Sequence, residues 1–308
     1  MKFSKMQGGL IAGLFLAASV LTGCGGGGNS ERIVYLNHDG DDLVGGQMMR
    51  DYIIDRAKPK GFNIEVFDAK GDGNAQFDYM KTALEEGAQA IILIAIDNDS
   101  IMPLVKQANA QGIPIITINR DISDGERINV GCDEYEAGKL QAEYMLKNLP
   151  QGATVVYLEG MASLNIARLR WEGFKQECLD KRSDLKLLDM QDSKWSKAEA
   201  MKIMSLWLSI FPKIDAVVCG NDQMAMGAVE ALKAAGRLKG CHVAGVDATD
   251  DALKAIANGE MVQTIKQDIG KQADGVVETL EKIRSGSKPT KITIPFTSVT
   301  KENLSQFK

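Results

Sequence analysis

Short apolar runs alternate with amphipathic stretches from residue 32 almost to the C-terminus, and that rhythm leaves few folds open. Residues 32–37, 63–67, 90–96 and 113–118 are apolar and often β-branched. Between them, 45–60, 75–86 and 100–111 carry apolar side chains at helical spacing, with glycine stops at Gly87 and Gly112. After a helix over 134–149 the pattern starts again. It predicts strands over 154–159, 185–190, 216–219, 242–246 and 262–266, and helices over 166–181, 197–208, 223–235, 249–258 and 269–283. A run such as 90–96 lacks polar alternation, as a parallel strand covered on both faces requires. The alternation predicts an α/β fold of doubly wound parallel sheets. So many strands are expected in two domains rather than in one sheet. Methionines at helical spacing, such as Met201 and Met204, are expected to pack in the core.

The N-terminus reads differently. Lys2 and Lys5 precede an apolar stretch over 10–20, which ends at Leu21-Thr22-Gly23-Cys24. A basic start, a short apolar stretch and a small-residue cleavage site make a signal peptide over 1–23. The last four residues resemble a bacterial lipobox, which implies lipidation of Cys24. Residues 24–31 then form a flexible tether. The protein is expected to be exported and held by its acyl chains in the periplasm or at the outer face of the cell membrane. This excludes a cytosolic metabolic role. A formal net charge of −5 gives no reason to expect nucleic acid as a partner. With 44% hydrophobic and 25% charged residues, the rest suits a globular core. Cys219 sits near the end of one strand and Cys241 at the start of another, so free thiols are expected there rather than a disulfide. His38 and His242 are the only histidines, with no metal-ligand spacing, so neither a metal nor another cofactor is expected.

In parallel sheets, ligands bind beyond the C-terminal ends of the strands. Here those ends are polar: His38-Asp39-Gly40-Asp41-Asp42, Asp97-Asn98-Asp99, Asn119-Arg120, Glu159-Gly160 with Asn165 and Arg168 close behind, Lys194-Trp195, Asn221-Asp222, Asp247 and Lys266-Gln267. Planar amides, guanidinium groups and carboxylates supply donors and acceptors in fixed arrays, and an indole supplies an apolar face. That mixture suits an uncharged, polyhydroxylated ring. A phosphate would call for a glycine-rich loop opening a helix, and no loop reads so.

From about Arg32 to Lys308 the chain resembles the periplasmic sugar-binding proteins of the ribose and galactose/glucose type. The resemblance is carried by Val217-Val218-Cys219-Gly220-Asn221-Asp222-Gln223-Met224-Ala225-Met226-Gly227 and Val243-Ala244-Gly245-Val246-Asp247. Ile115–Arg120 and Ala167–Phe174 support it. It implies two domains, 32–132 with 267–293 and 133–266 with 294–308, joined by a hinge of several crossings near Cys132, Gln267 and Ile294. It implies a binding protein rather than an enzyme, which delivers a monosaccharide or cyclitol to an ABC permease as a monomer. A chemoreceptor is a further possible partner. Carried over by motif, the ligand contacts are Arg168, Asn221, Asp247, Trp195 and Gln267, with Asn119 and Arg120 from the first domain. Asn165, Asp39, Asp41 and Asp42 are added from the neighbouring loops. Two departures stand out: the first loop carries no phenylalanine, and Ala95 stands where an asparagine is common, so the first-domain wall is rebuilt.

Plainer readings stand beside these. Asn221 and Asp222 could both cap the next helix, the preferred role for Asp222. Arg168 could be a surface residue beside Arg170, and Trp195 could be core. A sugar-sensing lipoprotein for chemotaxis or signalling fits the same residues. A glycosidase would need two facing carboxylates, such as Asp247 with Asp39 or Asp41.

Overall fold

The computed structural model describes residues 32–40 and 43–307. The signal segment, Cys24, the tether, Asp41 and Asp42 lie outside the described residues. In chain order come β1 (Ile33–Asn37), α1 (Met49–Ala57), β2 (Ile64–Asp68), α2 (Gly73–Glu85), β3 (Ala90–Leu93), α3 (Asn98–Ala110), β4 (Ile115–Ile118) and β5 (Ile128–Gly131). Then follow α4 (Glu134–Asn148), β6 (Thr154–Glu159), α5 (Asn165–Phe174), β7 (Lys186–Asp192), α6 (Lys197–Ile210), β8 (Ala216–Cys219), α7 (Asp222–Ala234) and β9 (His242–Val246). The chain ends with α8 (Asp250–Ala257), β10 (Gln263–Lys266), α9 (Ile269–Arg284), β11 (Ile292–Thr293) and β12 (Thr297–Thr300).

The strands form two six-stranded sheets, ordered β11-β5-β4-β3-β1-β2 and β12-β10-β9-β8-β6-β7. Among these pairs β12 alone runs antiparallel to its neighbour, β10. The two-residue period of a strand sends alternate side chains to opposite faces. In β1, Ile33 and Tyr35 pack with α1 and α9, while Val34 and Leu36 pack with α2 and α3. In β6, Val156 and Leu158 face α6, α7 and α8, while Val155 and Tyr157 face α4 and α5. Side-chain caps start most helices, among them Asp72, Asp97, Asp133, Ser196 and Thr249. Gly112 ends α3 at φ +71, where any side chain would be strained.

The chain passes between the sheets three times: from β5 to α4, from β10 to α9, and from β11 to β12. β5, β11 and β12 have no counterpart in the sequence reading. Met204 is buried in the core as expected, but Met201 is 43% exposed. The buried stripe of α6 runs through Ala200, Met204 and Trp207, and Met201 stands about 100° round the helix from Ala200.

α4 and α5 approach so closely that a Cβ on Gly138 would run into the Arg170 carbonyl, and one on Gly173 into the Tyr135 carbonyl. Both obstacles are backbone, so neither can rotate away. Gly173→Val is expected to cost about 1–3 kcal/mol through overpacking. The check is a lower urea midpoint at an unchanged slope; a midpoint equal to the parent's would contradict the close packing.

Candidate functional site

The C-terminal ends of strands from both sheets enclose a cavity of about 510 Å³. Asp39, Asn119 and Arg120 reach it from the first sheet, and Trp195, Asn221 and Asp247 from the second. Gln267, in the passage from β10 to α9, joins them. All seven were singled out from the sequence.

Two were misplaced. Arg168 and Asn165 do not line the cavity. The Arg168 side chain is 51% exposed and bound to its own helix, with Nη1 donating to Glu172 Oε1 at 2.7 Å and Nη2 to Asn165 Oδ1 at 3.3 Å. Arg170 lines the cavity instead. Two positions along a helix rotate a side chain by about 200°, so the two arginines face opposite ways. The signal was present: Arg170 shares the buried stripe of α5 with Ala167, Gly173 and Phe174.

Arg170 is almost wholly enclosed. Its Nε donates to Glu134 Oε2 at 2.7 Å and its Nη1 to the Gly220 carbonyl at 2.6 Å. Its Nη2 has no protein partner. Burial pushes the Glu134 carboxyl up in pKa, and the guanidinium beside it opposes that shift.

Trp195 lies against two glycines. A Cβ on Gly160 would run into its ring, and one on Gly220 would stand 3.2 Å from Cζ3. Those glycines close β6 and β8, so the ends of two strands clear the space for one indole. The Arg170 guanidinium carbon is 5.9 Å from the ring centroid, within cation–π range. The indole Nε1 is buried without a partner, as is Asn119 Oδ1. The loop after Asn119 is fastened by Asp121, which accepts from Thr117 Oγ1 at 2.8 Å and from both Nε and Nη2 of Arg127.

Asn221, rather than Asp222, caps α7, its Oδ1 accepting from the Met224 amide at 2.9 Å. The cap fixes the side chain at the cavity wall. Asp222, which the sequence reading made a cap, is fully buried and turned toward the neighbouring strand ends. It accepts from the Thr249 amide at 2.9 Å and from Thr264 Oγ1 at 2.7 Å. Thr264 Oγ1 in turn accepts from the Ala248 amide at 3.1 Å. This bracket holds the turn that presents Asp247, whose Oδ1 accepts from Gln267 Nε2 at 2.8 Å. Burial, then the nearby Asp247 charge, pushes the Asp222 carboxyl well above the usual carboxylate range. Gln141 makes a similar bracket from α4, donating to the Cys219 and Gly245 carbonyls at 3.0 and 3.1 Å. Neither bracket role showed in the sequence, because the partners lie far apart along the chain.

Asn119, Lys194, Trp195 and Asp247 all have positive φ, between +55° and +119°. Left-handed backbone at non-glycine residues is costly and gathers where side chains must be aimed at a ligand.

Among the described residues no group of three or more His, Cys, Asp or Glu could hold a metal ion, and no helix is long and apolar enough to cross a membrane. Cys132, Cys178, Cys219 and Cys241 are free thiols. Burial raises the pKa of Cys178 to about 11 and of Cys241 to about 12, which keeps them unreactive.

Two mainly parallel sheets whose strand ends wall one polar cleft define the fold of a solute-binding protein. The chain belongs to the periplasmic binding protein family, whose family model, described as "Periplasmic binding protein domain", matches residues 33–288. A Rhizobium meliloti protein named for binding rhizopine is 33% identical over 271 residues, which are 85% of this chain and 88% of that one. An ABC transporter solute-binding protein from Bacillus halodurans, solved with bound myo-inositol, superposes with a TM-score of 0.85. It is 29% identical, and the match covers 92% of this chain and 99% of that chain. A Caulobacter myo-inositol binding protein, bound to myo-inositol, gives a TM-score of 0.85 at 27% identity, covering 91% of this chain and 96% of that chain. The family is one of periplasmic binding proteins, not of enzymes; of these three relatives two were solved with bound myo-inositol, and one of those is named as an ABC transporter solute-binding protein.

Proposed function

We propose that this protein is the substrate-binding lipoprotein of an ABC importer and takes a monosaccharide or cyclitol into its cleft. One observation carries the reading. Asn119 Oδ1, Arg170 Nη2 and Trp195 Nε1 are buried polar atoms without protein partners, and all three residues line one cavity. Each such orphan costs about 1–3 kcal/mol unless something bonds to it. A ring of hydroxyls, each both donor and acceptor, answers an amide oxygen on one side and two N–H groups on the other.

In this reading residues 32–132 with 267–293 make one domain and 133–266 with 294–308 the other. The three passages serve as the hinge, and ligand contacts on both sides favour the closed form. Arg170 takes the role first given to Arg168, beside Asn221, Asp247, Trp195, Gln267, Asn119, Arg120 and Asp39. Cys24 carries the lipid, the protein acts as a monomer, and a permease, with or without a chemoreceptor, reads the closed shape.

A thermal-shift screen against monosaccharides and cyclitols tests the reading, using protein that begins after Cys24. A ligand at a hundred times its Kd adds about 2.7 kcal/mol to stability and raises Tm accordingly. Silence across hexoses, pentoses and inositols would sink the proposal.

A further inference from the structure

Arg170 reaches the cleft with a counter-charge already attached behind it. Its ion pair with Glu134 is sequestered, with side-chain exposures of 2% and 8%. Glu134 does not line the cleft. It is the first residue of α4, directly after the passage from β5, and α4 is locked to α5 by the close approach at Gly138 and Gly173. So Glu134 cannot drift from the arginine it faces. Asp247 is a second carboxylate whose charge bears on Arg170. Around the same wall stand the cations Arg120 and Lys194 and the carboxylates Asp39 and Asp247. With Glu134 counted behind Arg170, the positive and negative groups balance among the described residues.

We infer that Glu134 is a specificity-determining residue, acting through Arg170, which makes the cleft select uncharged polyols over the same skeleton carrying an anionic group. The inference rests on the sugar or cyclitol reading and adds the charge class. An unpartnered arginine in a wall attracts carboxylates and phosphates, which it binds better than hydroxyls. Glu134 occupies the guanidinium's Nε edge and offsets part of its charge, leaving Nη2 as a donor suited to a hydroxyl. A ligand anion at Nη2 would sit roughly 6 Å from the Glu134 carboxylate, where an effective dielectric of about 20 gives a repulsion of about a hundredfold in affinity.

Titration calorimetry on matched pairs tests this: myo-inositol with a myo-inositol monophosphate, and D-glucose with D-glucuronate. The readout is the ratio of neutral to anionic affinity within a pair, which cancels general losses of packing. The parent protein is expected to prefer the neutral member. Glu134→Gln is expected to shift the ratio toward the anion by about ten- to a hundredfold, while Glu134→Asp, which keeps the charge, restores the parent ratio. An unchanged ratio in Glu134→Gln overturns the inference and leaves the polyol reading standing. So does a parent protein that binds the anion as tightly as the neutral member, a result that decides the matter even if Glu134→Gln does not fold. A parent protein that binds neither these pairs nor any hexose, pentose or inositol of the thermal-shift screen overturns the polyol reading and this inference with it.

Discussion

Arg170→Ala should weaken ligand binding by about ten- to a hundredfold, while Arg168→Ala should leave the dissociation constant within about twofold. Arg168 is half exposed and bonded to Glu172 on its own helix, and surface pairs of that kind contribute little, about 0–1 kcal/mol. Arg170 is enclosed, with one N–H unpartnered at the cavity wall. A hydrogen bond from a charged donor contributes about 1.5–3 kcal/mol, or roughly ten- to a hundredfold in affinity. The same substitution strands the Glu134 carboxylate in the interior, which costs about 3–5 kcal/mol of stability. Urea denaturation and calorimetry on both variants separate the two effects, and Arg170→Met with Glu134→Gln removes the stranded charge. If Arg168→Ala proves the damaging change, the helix phase assigned to α5 is wrong.

The second large effect concerns a residue that touches no ligand. Asp222→Ala should cost about 2–4 kcal/mol, because the Thr249 amide and the Thr264 hydroxyl lose their buried acceptor. Binding should weaken too, since Asp247 at φ +119 and Ala248 at φ +54 depend on that bracket to stay in the left-handed region. Asp222→Asn keeps a carbonyl for the Thr249 amide and removes the titration. The Asp222 pKa is raised in the folded state, so the folded protein holds this proton to higher pH than the unfolded chain. Its contribution is full below the unfolded value of about 3.9 and is lost as pH rises through the folded one. From pH 4 upward the parent should therefore lose stability relative to Asp222→Asn. A gap between their urea midpoints that stays constant with pH would refute a buried, titrating carboxylate.

The rhythm of the chain announced the fold because inner β-strands such as β1, β3, β4 and β8 are buried on both faces and so read as apolar runs. The exceptions follow from the same physics. β11 and β12 lie at sheet edges, where Ile292–Thr293 and Thr297–Thr300 need little apolar surface. The strand-end rule located most of the cleft, since Asn119, Asn221 and Asp247 sit where strands stop. It failed on α5, because a residue beyond the first turn is aimed by helix phase and not by sequence order. Asn221 and Asp222 are neighbours with opposite fates, one at the cavity wall and one clamped beneath it, which no local pattern distinguishes. The shelf under Trp195 was equally hidden: Gly160 and Gly220 lie on either side of it in sequence and meet only in the folded sheet.

The passage of α9 back onto the first sheet also governs when the molecule can become stable. Ile269, Ala273, Val276 and Leu280 cover one face of that sheet, over Ile33, Tyr35, Ile92 and Ile116, and β11 completes its edge. A growing chain that has made only β1 to β5 therefore has an open apolar face. Closing it must wait until residue 293 has been added, and joins segments more than two hundred positions apart. Such distant pairings form slowly, because loop-closure entropy is lost before the contacts return it. An exported chain gains from that delay: it stays threadable through a translocation channel until almost all of it has been synthesised.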